Sequence, residues 1–259
     1  MRLNKYLSHN TKLSRREADR AIQEGRVNID RVKITNPATQ VEDEQKVFLD
    51  SRFINPNRDE MITVIAYCKP KGEIVSKKDD RGRKTIYDTL PDRFRGFVPV
   101  GRLDFTTTGL LLLTDSKPTA ARLMESNLER VYIVKLKGSI TEKIEKAMLE
   151  GLHNVDAKKG GHKLSDIETM SFAPFLGYKI DKNTPNHSKL KIAISEGKNR
   201  EIRRFFGYFD RDVIDLKRVS FGGVELNALP EGKWRFLNKK EYKDLREFLN
   251  KPQANMQDN

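Results

Sequence analysis

The segment from Gly101 to Asp115, GRLDFTTTGLLLLTD, constrains the fold more than any other stretch of the chain. Leu110 to Leu113 form an apolar run that must be buried, so the polar turn before it is carried to the edge of a core. That turn opens with Gly101, sets the carboxylate of Asp104 close behind the basic Arg102, and continues through three threonines. Two readings fit Asp104. An isolated acid at the mouth of a hydrophobic segment is where nucleophilic chemistry can sit. A solvated aspartate capping the next element fits the same residues, because Asp favours caps and turns. The segment alone does not separate the two.

Charge narrows the class of partner. The 259 residues hold 50 Lys and Arg against 37 Asp and Glu, a formal net charge of +13. Such an excess points to a polyanion, with nucleic acid as the first candidate. Arg203-Arg204-Phe205-Phe206 interleaves basic and aromatic residues, which suits RNA better than a membrane. The single cysteine, Cys68, allows no disulfide within the chain, and its neighbours Ile65, Ala66 and Tyr67 mark it as a buried strand thiol. The sequence has no secretory segment, membrane-length apolar run, zinc pattern, Walker loop or dinucleotide glycine fingerprint. Its four histidines are scattered. The expectation is a cytoplasmic protein that needs no metal or other cofactor.

The chain has room for one large or two modest domains. Residues 1 to 54 read as a compact module of helices and short strands. Ser14-Arg15-Arg16-Glu17 is a capping box, Ala18, Ala21 and Ile22 form the apolar stripe of the helix it starts, and Gly25 is placed to end that helix. Val27 and Ile29 alternate as a strand, and Val47-Phe48-Leu49 reads as another. Arg2, Lys5, Lys12, Arg15, Arg16, Arg20 and Arg26 crowd this module, either as a solvated face or as a patch that meets phosphates, and we favour the patch. Residues 55 to 60, polar and containing Pro56, read as a linker.

Residues 61 to 250 read as a second domain with strands at Ile62 to Tyr67, Val131 to Val134 and Leu190 to Ile194, and helices at Ile140 to Leu149 and Arg200 to Tyr208. Residues 153 to 188 read as long loops around one strand, with little chemistry. The fold class expected is α+β, with helices packed on a mixed, mainly antiparallel sheet. The polar tail, 251 to 259, is expected to be disordered.

Three segments make a chemical set: Asp104, Tyr132 inside a β-branched strand, and Glu196-Gly197-Lys198-Asn199-Arg200-Glu201-Ile202-Arg203-Arg204, which leads through a glycine turn into a basic helix start. A carboxylate nucleophile benefits from a cation that keeps it ionised, and an aromatic platform suits a flat ring. Each also has a plainer reading: Tyr132 as core, and the arginines as a solvated cluster.

Taken in order, RLNKYLS…SRREADRAIQEGRV, CKPKGEIVS, GRLDFTTTGLLLLTD, the Tyr132 strand, EGKNREIRR and LPEGKWRFL resemble the RsuA/RluB-type ribosomal RNA pseudouridine synthases, which carry an N-terminal alpha-L RNA-binding module. The resemblance covers about residues 1 to 250, and Tyr67 to Leu90 looks closest to the large-subunit RluB type. It implies a pseudouridine-synthase core, no metal, no membrane, a monomer, and ribosomal RNA as partner, free or in an assembly intermediate. Asp104 matches the catalytic aspartate, Tyr132 the tyrosine that stacks on the flipped base, and Arg203 the basic partner of the aspartate, with Arg200 and Arg204 as neighbours able to serve instead. Arg102 fills the place of the flipped base or binds the backbone. Arg2, Lys5, Arg15, Arg16, Arg20, Arg102, Arg200 and Arg204 are the expected RNA contacts. The chain departs from the pattern at Val131 within Arg130-Val131-Tyr132, at Asp115-Ser116-Lys117-Pro118, and at Asp30-Arg31, where Asn-Gly is common. A non-catalytic assembly factor and a synthase acting on small-subunit or transfer RNA remain the alternative readings.

Overall fold

The computed structural model describes residues 1–42, 45–54, 62–162 and 164–250. The expected linker at 55–60 and tail at 251–259 lie outside the described residues. The chain divides into two compact units, Met1–Ile62 with Ser116–Pro118, and Thr63–Asp115 with Thr119–Asn259.

In the first unit, helices α1 (Leu3–Asn10) and α2 (Arg15–Gln23) accompany a four-stranded antiparallel sheet, in the order β2-β1-β3-β4. Its strands are β1 (Val27–Ile29), β2 (Val32–Ile34), β3 (Val47–Leu49) and β4 (Arg52–Phe53). Leu3, Leu7, Ala18, Ile22, Val27 and Val47 are fully buried together as its core. The capping box forms as read: the Glu17 amide donates to Ser14 Oγ at 3.3 Å, and the Ser14 amide donates to Glu17 Oε2 at 2.6 Å. Both hairpins turn through two left-handed residues, Asp30-Arg31 and Asp50-Ser51, so the backbone of a type I′ turn forms without the usual glycine.

The second unit is built on one mixed sheet in the order β11-β12-β8-β13-β7-β5-β15. Its strands begin with β5 (Val64–Lys69), β6 (Val98–Pro99), β7 (Thr108–Thr114), β8 (Arg130–Lys137), β9 (Leu152–Asp156) and β10 (Thr169–Phe172). They continue with β11 (Gly177–Asn183), β12 (His187–Ile194), β13 (Val213–Phe221), β14 (Val224–Glu225) and β15 (Trp234–Phe236). The helices are α3 (Lys117–Met124), whose first two residues are assigned to the first unit, α4 (Glu142–Glu150), α5 (Glu201–Tyr208) and α6 (Lys239–Asn250). β6 joins β7, β14 joins β13, and β9 pairs with β10 in a separate ribbon. Neighbouring strands run antiparallel except β7 and β13, which are parallel, so the α+β class with a mixed, mainly antiparallel sheet holds.

The leucine run becomes the middle of β7, where all seven residues are buried. A central strand covered on both faces has no reason to alternate, and each fully buried leucine contributes about 1.5–3 kcal/mol. β12 instead buries Ser188, Leu190, Ile192 and Ile194 while exposing Lys189 and Lys191, the alternation of a strand with one wet face. The parallel contact between β7 and β13 requires Gly109. It sits at φ +100, and a Cβ there would lie 2.2 Å from the carbonyl oxygen of Arg218.

Several expectations need correction. β5 starts at Val64 rather than Ile62 and runs through Cys68, which is buried as read, to Lys69. Residues 153 to 188 carry three strands, β9, β10 and β11, rather than one among the loops. Edge position explains the miss, because β11 exposes most of its polar residues and carries little apolar signal. The arginines of α5 are not a solvated cluster either. Arg203 is 9% and Arg204 0% exposed, and Phe205 and Phe206 are core residues, packed in a group with Phe172 and Phe175.

Candidate active site

Asp104 leaves the sheet at the turn before β7, and Lys69 at the end of β5 fixes that turn. The Lys69 ammonium is fully buried and donates to the carbonyls of Pro70 (2.9 Å), Asp104 (3.1 Å) and Thr107 (3.0 Å). Burial lowers its pKa to about 8, with nearby Glu73 and Asp104 acting in the opposite sense. The Thr107 amide closes the turn on the Asp104 carbonyl at 3.0 Å. Backbone and ammonium together leave the carboxylate of Asp104 one direction, outward into a cleft.

In that cleft two arginines meet it. Arg200 Nη1 donates to Asp104 Oδ2 at 3.0 Å, and Arg203 Nε lies 3.4 Å from the same oxygen as an ion pair without hydrogen-bond geometry. Arg203 is braced by the Val213 carbonyl (3.1 Å) and by Thr106 Oγ1 (3.0 Å). Burial, then the like charge of Arg200, lowers the pKa of Arg203, with Asp104 opposing. The Asp104 side chain stays 32% exposed, so it is ion-paired and still reachable. This geometry favours the nucleophile reading over the capping one.

Asp104, Tyr132, Arg200, Arg203 and Arg102 all line one cleft of about 250 Å³. Tyr132 is 8% exposed on β8, and among the described residues its hydroxyl has no hydrogen-bond partner. Arg102 stands exposed at the rim. On the other side of Asp104 a wider groove of about 1000 Å³ is lined by Lys78, Arg83, Arg102, Lys198 and Arg200, among others. Cations outnumber carboxylates along both, which favours an anionic ligand.

Arg204 does not belong to the cleft. Its guanidinium is fully buried and donates to the Asn199 carbonyl at 3.0 Å, to the Ala157 carbonyl, and to Ser165 Oγ at 2.7 Å. It fastens α5 to the 157–167 segment, so its assignment as an RNA contact is withdrawn. Arg203 and Arg204 are adjacent on α5, so their side chains leave the helix about 100° apart, and Arg204 turns to the 157–167 segment while Arg203 meets Asp104. In the other unit Arg15, Arg16 and Arg20 are exposed on α2, Arg2 is exposed just before α1, and Lys5 is half-buried on α1. Arg26 is engaged by Asp50 at 2.6 Å and Glu24 at 3.3 Å, which removes it from a free cationic patch.

Reading the sequence missed Lys69, Arg130, Arg218, Glu201 and the carbonyl of Gly160. That carbonyl accepts from Arg200 Nε at 2.7 Å and lies in a segment expected to matter little. A signal existed for three of them: Lys69, Arg130 and Arg218 are charges at strand positions whose period-2 neighbours Tyr67, Tyr132 and Leu216 are buried. Glu201 is 7% exposed, and its carboxyl accepts from the Lys198 amide at 3.0 Å. Burial raises its pKa to about 7. Among the described residues no three His, Cys, Asp or Glu side chains group as metal ligands, and no helix is long and apolar enough to cross a membrane.

Residues 63–208 match the RNA pseudouridylate synthase family and residues 1–47 match the S4 domain. An uncharacterized RNA pseudouridine synthase of Helicobacter pylori is 50% identical over 249 residues, spanning 96% of this chain and 95% of that one. The ribosomal large subunit pseudouridine synthase B of Vibrio vulnificus is 34% identical over 256 residues, spanning 96% of this chain and 75% of the relative. A crystal structure of a pseudouridylate synthase, 26% identical, superposes with a TM-score of 0.61 over 95% of this chain and 99% of its own. The chain carries an N-terminal S4 domain and belongs to the RNA pseudouridylate synthase family.

Proposed function

We propose that this protein converts a specific uridine of large-subunit ribosomal RNA to pseudouridine, with Asp104 as the nucleophile. The observation that carries the reading is the half-exposed carboxylate of Asp104, held by Arg200 and Arg203 inside a cleft that also holds Tyr132. In the overall reaction the C1′–N1 bond breaks, a C1′–C5 bond forms, C5 gives up a proton and N1 gains one, so no atom is lost. Asp104 supplies the carboxylate that starts this rearrangement, and the two arginines keep it ionised and oriented. Tyr132 offers its ring face to the flipped base and its unpaired hydroxyl to the proton transfers.

Flipping a nucleotide out of a helix costs a few kcal/mol, so the RNA must first be gripped elsewhere. The basic groove beside Asp104 meets the strand around the target. Residues 1–54, with Arg2, Lys5, Arg15, Arg16 and Arg20, serve as the RNA-anchoring domain, and residues 61–250 do the chemistry. Large-subunit RNA is favoured by the 34% identity to the Vibrio vulnificus enzyme, and we place the protein in the cytoplasm as a monomer. The test is to map pseudouridines in ribosomal RNA from cells with and without the protein, then restore the missing one with purified protein. Loss of one large-subunit site and its recovery is the expected result. An unchanged large-subunit map, or a change only in small-subunit or transfer RNA, overturns the substrate assignment.

A further inference from the structure

Two buried guanidinium groups line the cleft and take no part in holding Asp104. Arg130 is 5% and Arg218 4% exposed. They flank Phe221, with Cζ 5.0 and 5.3 Å from its ring centroid. Arg130 is satisfied, since its two terminal nitrogens donate to the carbonyls of Leu128, Ser195 and Ser126. Arg218 is not. Its Nε donates to the Leu110 carbonyl at 2.7 Å, and its Nη2 is buried with no partner.

An unpaired N–H on a buried cation is costly, and a structural arginine avoids it, as Arg130 and Arg204 do. The position of Arg218 gives the cost a use. Arg218 on β13 stands directly opposite Tyr132 on β8, so the two side chains leave the same sheet face as neighbours. A flat ring stacked on Tyr132 therefore brings its edge to Arg218. The unpaired nitrogen lies at depth, where a planar carbonyl reaches more easily than a tetrahedral phosphate. Phosphates meet the exposed Arg102 and Lys198 first.

We propose that Arg218 reads the pyrimidine: its free Nη2 donates to O4 of the flipped uracil and so selects uracil over cytosine. Cytosine carries an amino donor at that position, which would face the guanidinium donor to donor. O2 is common to both bases and makes no such choice. A site built around one hydrogen bond rejects the analogue that lacks it, because the buried donor is then left unpaired. This inference rests on the pseudouridine-synthase reading of the cleft.

The test uses the full chain and a synthetic RNA hairpin around the mapped uridine. The target position carries uridine, 2-thiouridine or the 4-deoxy analogue pyrimidin-2-one riboside. Conversion of the uridine hairpin by the unsubstituted protein is measured first. Its absence would sink the reading of the cleft and this inference with it, and that failure is distinct from the outcomes below. Binding is then measured in an Asp104→Asn background, so that no turnover intervenes. The expected result is about ten- to a hundredfold weaker binding of the 4-deoxy hairpin, little change with 2-thiouridine, and no difference between the uridine and 4-deoxy hairpins beyond a few-fold once Arg218→Met removes the donor. Equal binding of the uridine and 4-deoxy hairpins overturns the proposal, as does a full penalty that survives Arg218→Met. Should Arg218→Met, checked by thermal unfolding, fail to fold, equal binding of the two hairpins by the chain with Arg218 intact still overturns it.

Discussion

Arg200 joins Asp104 to the carbonyl of Gly160: its Nη1 donates to Asp104 Oδ2 at 3.0 Å and its Nε donates to the Gly160 oxygen at 2.7 Å. The second bond fixes the plane of the guanidinium, and the first then has one direction. Arg200 itself sits at φ 51, in left-handed backbone just ahead of α5, a conformation that costs about 1–2 kcal/mol for a residue with a Cβ. That strain is located where the side chain must be aimed.

Arg200→Lys keeps the charge and loses the fork, so one ammonium cannot hold both oxygens in that geometry. We expect kcat to fall about 10- to 100-fold with RNA affinity changed much less. Single-turnover kinetics and a binding titration on the same RNA separate the two. A loss confined to affinity would make Arg200 a phosphate contact only.

Asp104→Asn preserves size and removes the nucleophilic charge. Pseudouridine formation should drop by at least about 10³-fold, with the melting temperature and RNA affinity close to those of the unsubstituted protein. A purified Asn variant that retains turnover would return Asp104 to the role of a turn residue.

Gly160→Ala tests the support behind Arg200. Gly160 has φ +78, and a Cβ there would stand 2.0 Å from the Arg203 carbonyl oxygen. A loss of about 2 kcal/mol or more in stability is expected, together with loss of activity. Gly96→Ala is the control, since its Cβ would meet nothing within 4 Å. Denaturant unfolding of both variants makes the comparison, and equal stabilities would show that the segment gives way without effect.

Glu201 gives a pH signature. Burial raises its pKa from 4.5 to about 7, so between those values the folded protein holds a proton that the unfolded chain releases. Its unfavourable contribution therefore develops as pH rises through this window and is complete above pH 7. Glu201→Gln should leave stability near pH 4.5 unchanged and raise it by about 1–3 kcal/mol at pH 8. Urea unfolding across pH 4.5 to 8 reads this difference, and parallel curves would contradict it.

Arg15, Arg16 and Arg20 are exposed on α2, in the unit that carries the S4 match. Changing all three to Gln should weaken RNA binding and lower the slope of log affinity against log salt by about 0.7–0.9 for each phosphate no longer neutralised. Turnover at saturating RNA should persist. An unchanged salt slope would show that this helix face is merely solvated.

Much of the fold was legible where one local rule decides the outcome. Ser14 and Glu17 cap α2 because their spacing closes a local ring of hydrogen bonds, and Gly25 ends it because that turn needs φ +70. Leu110 to Leu113 announced burial, and the alternation in β12 announced its wet face. β11 escaped notice because an edge strand needs little apolar signal to pair. Arg204 was misassigned because adjacent arginines on a helix look equivalent in a sequence and differ by 100° in space.

The sequence by itself determined the chemical ingredients: a carboxylate next to a buried strand, an aromatic among β-branched residues, and a basic segment after a glycine turn. Composition and local spacing suffice for that, because they are properties of neighbours along the chain. Only the tertiary structure decided that Arg200 donates to Asp104, 96 positions away, and that Gly160, 40 positions away, aims it. Only the fold could set Arg218 opposite Tyr132 and leave one of its donors unpaired. Strand pairing brings distant residues to within a few ångströms, and burial then determines which charges must find a partner and which wait for one.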